Sequence, residues 1–451
     1  MRNKTGGTTG SNQYGPRGTA KRRPTPSGTQ AANLMEQADD SARRMRLKYL
    51  QTTCPPLAQL SSAFSRAGHR LWLVGGPVRD MLGDRAPKDF DCCTDADPQA
   101  TKAILDPLGP VYTVGEAYGT IGVAIQGEVF EVTTLRGEQY EPDSRHPQVT
   151  YLTEIDQDLR RRDFTVNAMA IDLESGDLID PFGGHADLRS RRLRTPPRHG
   201  SAPADIDQAV ETLTEDPLRV ARAIRFHACR GFDIDPDLSD AMAWVAPQMS
   251  SLAVERLNAE TERIITESHP SSFGRALEAT PSEAAVHMWG VALDQKLLAV
   301  APDLINPVAR RAAIVQAADR QGVIQGFCAR RKWRTDDFRE AVATWQTSEH
   351  MSSDDMVAAR IAVRRAPHTV LEAALHLRQE SGSRISGAWL DALDRVDSLK
   401  AEMPIKGNDP AIIAAGLKGP QIGAALARME RLWVMNPDAT RDDLVPHLPQ
   451  P

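Results

Sequence analysis

The sequence LVGGPVRDMLGDRAPKDFDCCT (residues 73–94) gathers the side chains best able to do chemistry. In Asp89-Phe90-Asp91 two carboxylates are separated by one apolar residue. On a strand, positions i and i+2 share a face, so both acids point one way while Phe90 enters a core. Like charges held so close repel unless a cation lies between them, and oxygen ligands suit a hard divalent ion, Mg²⁺ above all. An Asp-x-Asp also arises in ordinary turns. Upstream, however, Gly75-Gly76 lies between an apolar run and a helix start, where the missing Cβ lets backbone N–H groups approach an anion. Arg79 follows in the first helical turn, able to add a charge-assisted contact to phosphate. This grouping favours metal and phosphate chemistry. It matches neither the P-loop nor GxGxxG spacing, which disfavours those nucleotide folds.

Glu131, between Phe130 and Val132, faces opposite to those two and is a candidate third carboxylate, although a solvent-facing strand residue would look the same. Residues 158–170 (DLRRRDFTVNAMA) leave two readings open. Asp163 caps a helix starting near Phe164 with the arginines solvated, or Arg162 reaches a triphosphate or ribose. In EDPLRVARAIRF (215–226), Pro217 fits a first helical turn with Asp216 as cap. Arg219, Arg222 and Arg225 then recur at i, i+3 and i+6, by default a solvated stripe. Asp216 and Arg219 could also read one planar base edge, the acid accepting from an exocyclic amine and the arginine donating to the adjacent ring nitrogen. Cytosine and adenine both present that order on their Watson–Crick edges; uracil and guanine reverse it.

Elements must position these groups. Leu71–Val74 reads as a buried strand, Val78–Leu82 opens a helix, and Ile121–Ile125 with Val129–Thr134 form a hairpin around Gly127. From about residue 215 the pattern is helical. The stretch 195–212 reads as a loop insertion or linker. The chain of 451 residues is long enough for several globular units. Its first 35 residues lack acids but carry Arg2, Lys4, Arg17, Lys21, Arg22 and Arg23, a basic arm too polar for a core. The formal charge of −6 therefore understates the acidity of the rest, so any polyanion site must be a local patch. Arg160–Arg162, Arg189, Arg191, Arg192, Arg194, Arg198, Arg219, Arg222 and Arg225 are the candidates. No apolar run suits a membrane span, and five cysteines without paired or CxxC spacing read as small buried hydrophobes in a reducing cytoplasm.

Several motifs in order, VGGPVRDMLGDRAPKDFD, RRDFTVNAMA, DPFGG (180–184), EDPLRVARAIRF and ERLNAE (255–260), resemble the class II tRNA nucleotidyltransferase and bacterial poly(A) polymerase family. Residues 404–423 look like the C-terminal segment of many members. The resemblance implies an α/β head of the polymerase-β-like nucleotidyltransferase type, followed by an all-α neck, body and tail. The expected bounds are a disordered arm at 1–48, head at 57–188, neck at 189–265, body at 266–403 and tail at 404–451. It implies a nucleotidyltransferase that transfers nucleotides from CTP and ATP to a tRNA 3′-hydroxyl and releases pyrophosphate. Asp89 and Asp91 would bind Mg²⁺, with Glu131 a looser match to the catalytic acid. Gly76, Arg79 and Arg162 would contact the triphosphate, Asp216 and Arg219 would act on the base, Arg222 and Arg225 would complete the nucleotide site, and Gly75 and Asp163 are counted with these nucleotide-binding residues.

Within the family, poly(A) polymerases tend to carry a basic GRRF-like segment where this chain has Gly115 to Thr120. That favours CCA addition. The stretch Gly137 to Glu154, including Asp143, Arg145 and His146, occupies a loop that CC-only enzymes shorten, which favours full CCA addition or an A-adding enzyme with a partner. The absence of any His-Asp dipeptide speaks against the phosphohydrolase domain of some relatives.

Overall fold

The computed structural model describes residues 28–449, apart from 88, 114–118, 140–147, 153, 201 and 268. The head contains α1 (Gly28–Thr53), α2 (Pro55–Arg66), β1 (Leu71–Val74), α3 (Gly76–Leu82), β2 (Phe90–Thr94) and α4 (Pro98–Leu105). These are followed by β3 (Val111–Tyr112), β4 (Thr120–Ile125), β5 (Glu128–Thr134), β6 (Arg136–Gln139), β7 (Gln148–Tyr151) and α5 (Ile155–Arg160). Next come β8 (Ala170–Asp172), β9 (Leu178–Ile179) and α6 (Gly184–Ser190). The expected arm to residue 48 is corrected: from Gly28 onward the chain is helix, and Leu50 and Cys54 enter the head core.

Seven strands form one sheet in the order β3-β4-β5-β2-β1-β8-β9. Within this sheet, among the described residues, only β2 and β5 pair in parallel, because α4 and the β3–β4 passage return the chain to the same end of the sheet. The uninterrupted apolar run of β1 marks a strand covered on both faces. Leu71 and Leu73 enter one core, together with Phe90, Cys92, Phe130 and Val132, while Trp72 and Val74 pack on the other face with Cys93, Leu159 and Ala168. Asp91, one residue before Cys92, therefore emerges on the Cys93 face. Period-two alternation thus delivers the acid to the side covered by residues 155–168.

Beyond the head, β10 (Arg192–Leu193) pairs in parallel with β11 (Asp233–Ile234), so the neck is helical apart from this short ladder. Between them lie α7 (Ile206–Glu215) and α8 (Leu218–Arg230), followed by α9 (Pro236–Val245) and α10 (Val254–Ile265). Of the loop or linker expected at 195–212, the described residues before Ile206 carry no helix or strand, whereas the rest belongs to α7. Asp205 caps α7 by accepting from the Gln208 N–H, and Thr195, Pro196 and Pro197 are buried. The remaining chain to His447 is helical. One apolar core runs from Phe164 through the neck to Leu377, so it crosses the expected 265/266 boundary. A separate core starts at Met351 and ends at Leu448, joining the expected tail to the last body helices. Among the described residues no helix is long and apolar enough to cross a membrane.

Candidate active site

At the end of β1 the chain turns at Gly75, whose φ of +72° suits glycine. A Cβ there would come within 2.9 Å of Arg162 Nη1, so a side chain would intrude on the cleft floor. The Gly75 N–H does not wait for an anion as expected: it donates to the Met169 carbonyl at 3.1 Å. Arg79 lies on α3 and is buried; its guanidinium donates to Asp80 Oδ1 at 2.8 and 3.0 Å and to Asn167 Oδ1. Burial lowers its pKa, and the neighbouring Asp80 carboxylate opposes that shift.

Asp89 immediately precedes β2, and Asp91 is the second residue of that strand. Phe90 turns away to meet Phe130, with ring centroids 6.3 Å apart. Asp91 is the register partner of Glu131 across the parallel β2–β5 ladder, so both carboxylates leave the same face. All three acids are exposed. Crowding by surrounding protein raises the Asp91 pKa, Glu131 and Asp89 raise it further, and Arg162 pulls it back. The donors are all oxygen and carry unbalanced negative charge, which fits a hard divalent cation. Among the described residues no three His, Cys, Asp or Glu side chains converge into a ready-made cage. A metal held here would take water or substrate oxygens for most of its shell. Glu131 is an electrostatic neighbour of Asp91 without closing such a cage.

Residues 155–168 cover this face differently from the first reading of Asp163. No helix starts at Phe164; a short 3₁₀ turn spans Thr165–Asn167, without a side-chain cap. Asp163 Oδ1 accepts from the Phe164 N–H at 2.8 Å and from Asn167 Nδ2 at 2.9 Å, while Oδ2 accepts from Arg222 Nε at 2.8 Å. Burial alone would raise the Asp163 pKa, yet Arg222 and the Asn167 hydrogen bond hold it down at about 2. Asp158, fully buried, accepts from Arg161 and from Arg162 Nη2 at 3.0 Å. Burial works against its charge, and the two arginines outweigh burial and lower its pKa. Gly184 of the DPFGG turn lets α6 close on this segment, since a Cβ there would lie 2.1 Å from the Thr165 carbonyl oxygen.

The opposite wall comes from α8. Its arginines are not the solvated stripe their spacing suggested. Arg222 binds Asp163, Arg225 donates through Nε to Glu260, and Arg219 is buried. Arg219 donates to Thr212 O at 2.8 Å and Arg161 O at 2.9 Å and lies 3.3 Å from Glu215. Asp216 is not the expected cap of α8: it ends α7 just before Pro217, the N-cap of α8, accepts weakly from the Leu218 N–H at 3.3 Å, and pairs with Arg256 at 2.9 Å. The expected basic patch is likewise internally neutralised: Arg192 pairs with Asp235, Arg194 with Asp187, and Arg198 with Glu215. Arg160 donates to backbone carbonyls, while Arg189 and Arg191 are exposed.

Between the walls lies a cleft of about 1310 Å³. It brings together Gly75, Gly76, Arg79, Asp89, Asp91, Arg162, Asp163, Arg222 and Arg225 from separate parts of the chain. Asp216, Arg219 and Glu131 are not among its lining residues. Cys229 borders the cleft and Cys328 is also partly exposed, so only Cys54, Cys92 and Cys93 fit the expectation of buried thiols. Residues 115–118 of the segment weighed against GRRF, and 140–147 of the longer loop, lie outside the described residues.

Four supporting residues carried no assigned role in the sequence. Asp158 could have been found from its i+3 and i+4 spacing to Arg161 and Arg162. Glu215 stands four residues before Arg219 and offered the same signal. Asn167 and Glu260 sit within recognised motifs, but their partners Arg79 and Arg225 are 88 and 35 residues away, and no local signal connects them.

The class is set by this fold and site together: residues 71–194 match the poly A polymerase head domain, and 231–280 match the probable RNA and SrmB-binding site of polymerase A. A CCA-adding enzyme of Leuconostoc citreum is 29% identical over 395 residues, spanning 84% of this chain and 91% of that protein. One from Streptococcus pyogenes is 35% identical over 226 residues, half of this chain and 53% of its own length. The crystal structure of the Bacillus stearothermophilus CCA-adding enzyme in complex with CTP aligns with a TM-score of 0.63 and 26% identity, covering 84% of this chain and 92% of that one. Across its head and neck the chain is similar to the tRNA nucleotidyltransferase and poly(A) polymerase family. It is a nucleotidyltransferase, and enzymes of this family are generally metal-dependent.

Proposed function

We infer that this protein adds CCA to the 3′ end of tRNA, taking nucleotides from CTP and ATP without a nucleic-acid template and releasing pyrophosphate. The observation that carries this reading is the cleft itself, where the open acids Asp89 and Asp91 face arginines of both walls. The near-full-length likeness to CCA-adding enzymes favours this product over poly(A).

Asp89 and Asp91 would hold Mg²⁺, which supplies activation of the 3′-hydroxyl and charge stabilisation at the transferring phosphorus. Gly75 and Gly76 keep the floor clear, while Arg79 and Arg162 present guanidinium groups to the triphosphate. Their carboxylate and amide partners fix these side chains before substrate arrives, so catalysis draws on preorganised charge and position. Arg222, tied to Asp163, and Arg225, tied to Glu260, complete the nucleotide site from the neck. Asp216 and Arg219 act as the base-reading pair once they exchange their present partners for a Watson–Crick edge. One such pair accepts cytosine and adenine and refuses the reversed pattern of uracil and guanine. The five free cysteines accord with a reducing, cytoplasmic setting.

The test is extension of a tRNA lacking its 3′ end with CTP alone, ATP alone, and both, in Mg²⁺. The expected product is two C followed by one A, with arrest. A long A tract on any RNA would overturn the reading, and a single A added only to tRNA already ending in CC would reduce it to an A-adding enzyme.

A further inference from the structure

The segment between β10 and α7 has the composition of a linker, yet it is fastened on both sides. Arg160 of the head donates through Nη1 to the carbonyls of Pro197 at 2.7 Å and Gly200 at 3.0 Å. The N–H groups of Arg198 and His199 donate to Gln208 Oε1 on α7 at 2.8 and 3.2 Å. These bonds fix the backbone from which the Arg198 side chain extends. Its guanidinium is largely buried, 3.6 Å from Glu211 and hydrogen-bonded to Glu215 Oε1. The other oxygen of Glu215 lies 3.3 Å from Arg219 Nη1.

We propose that Arg198 is a positioning residue for nucleotide choice: by sharing the Glu215 carboxylate with Arg219, it sets how firmly Arg219 is retained away from the base. This rests on the reading of Arg219 as a base-reading side chain. Two cations on one carboxylate divide its attraction. In a poorly solvated site that division matters, because each charge is weakly screened. Thr212 O and Arg161 O take further guanidinium protons of Arg219 without adding net charge to the balance. Removing Arg198 withdraws one cation competing for Glu215, which strengthens the hold of that carboxylate on Arg219 and raises the cost of releasing Arg219 to a nucleotide. Removing the Glu215 charge lowers it.

The experiment is a double-mutant cycle of Arg198→Ala and Glu215→Gln, with Arg198→Lys as the conservative variant, measured as single-nucleotide addition from CTP and from UTP. Arg198→Ala is expected to lower the kcat/KM ratio of CTP over UTP roughly tenfold, the scale of one altered charge contact. Glu215→Gln in the same background should restore the ratio to within a few-fold, and Arg198→Lys should retain most of it. Equal losses for CTP and UTP, or no restoration by Glu215→Gln, would overturn the proposal by reducing Arg198 to a structural tie. Thermal melting and tRNA binding of each variant identify a folding defect, and Arg198→Lys keeps the test available should the alanine variant unfold. Arg219→Ala separates the two levels. If it leaves base discrimination intact, the base-reading assignment fails, and this proposal with it. If it relaxes discrimination while Arg198→Ala does not, the role of Arg198 alone fails.

Discussion

On the head side of the cleft, Asp89 and Asp91 are exposed, with Glu131 beside them in register and their mutual repulsion unbalanced. On the neck side, Arg222 and Arg225 each have a carboxylate partner, Asp163 and Glu260. Both arrangements surround one cavity, yet they treat charge in opposite ways. Uncompensated acids cost stability, and a metal or substrate can supply the missing counter-charge. Arginines tied to buried acids are already solvated by protein, so they hold their geometry but must share or exchange partners to engage a ligand. The contrast separates groups arranged for chemistry from groups arranged for position.

Four measurements can break or sharpen this contrast. The largest effect belongs to the acidic wall. Asp91→Ala should reduce nucleotide addition by roughly 10³-fold or more, the scale of losing a main electrostatic contributor at a phosphoryl site, with tRNA binding largely retained. Near-normal addition rates in primer extension would remove the metal assignment.

On the neck wall the expected loss is of stability. Asp163 has a folded pKa of about 2, below the ordinary value of 3.8, so its contribution is complete above pH ~4 and is lost as pH falls through 2. Asp163→Asn should therefore lower stability near neutrality by about 2 kcal/mol, the free energy of that shift. The gap from the parent protein, followed by urea melts, should narrow toward acid pH. A gap that stays constant between pH 6 and 3 would show that the ion pair to Arg222 is not its source.

Asp216→Ala should relax base choice by about tenfold, a single hydrogen-bonded base contact, with a smaller change in triphosphate affinity. Competition among the four nucleotides reads this directly, and an equal loss for all four would sink the base-reading assignment. The smallest effect is expected at Arg256, half-exposed in its pair with Asp216. Arg256→Ala should alter stability by less than about 1 kcal/mol, as for other solvated pairs. A larger loss in a thermal melt would mean that the pair anchors the start of α8.

Much of the acidic wall was legible locally. An apolar run, two glycines, a helix start and Asp-x-Asp are short-range signals, and strand periodicity alone puts Phe90 inside and the acids outside. The basic wall was misread where long-range pairing decides. The spacing of Arg219, Arg222 and Arg225 correctly places them along one helix, but it carries no information about Asp163 and Glu260, 59 and 35 residues from their partners. The same blindness placed most of α7 within a linker and left a helix cap open as one reading of Asp163.

The sequence by itself determined the order of motifs, the α/β head followed by helices, and the identity of the acids and arginines. Those depend on residue type and on periodicities of two and 3.6, which are properties of neighbours along the chain. Tertiary structure alone decided that β5 returns parallel to β2 and brings Glu131 beside Asp91, that the arginines are paired, and that Asp216 and Arg219 lie outside the lining of the cleft. The physical reason is that buried charge takes whichever partner the packing brings near, because its desolvation must be offset, and that partner can lie anywhere in the chain.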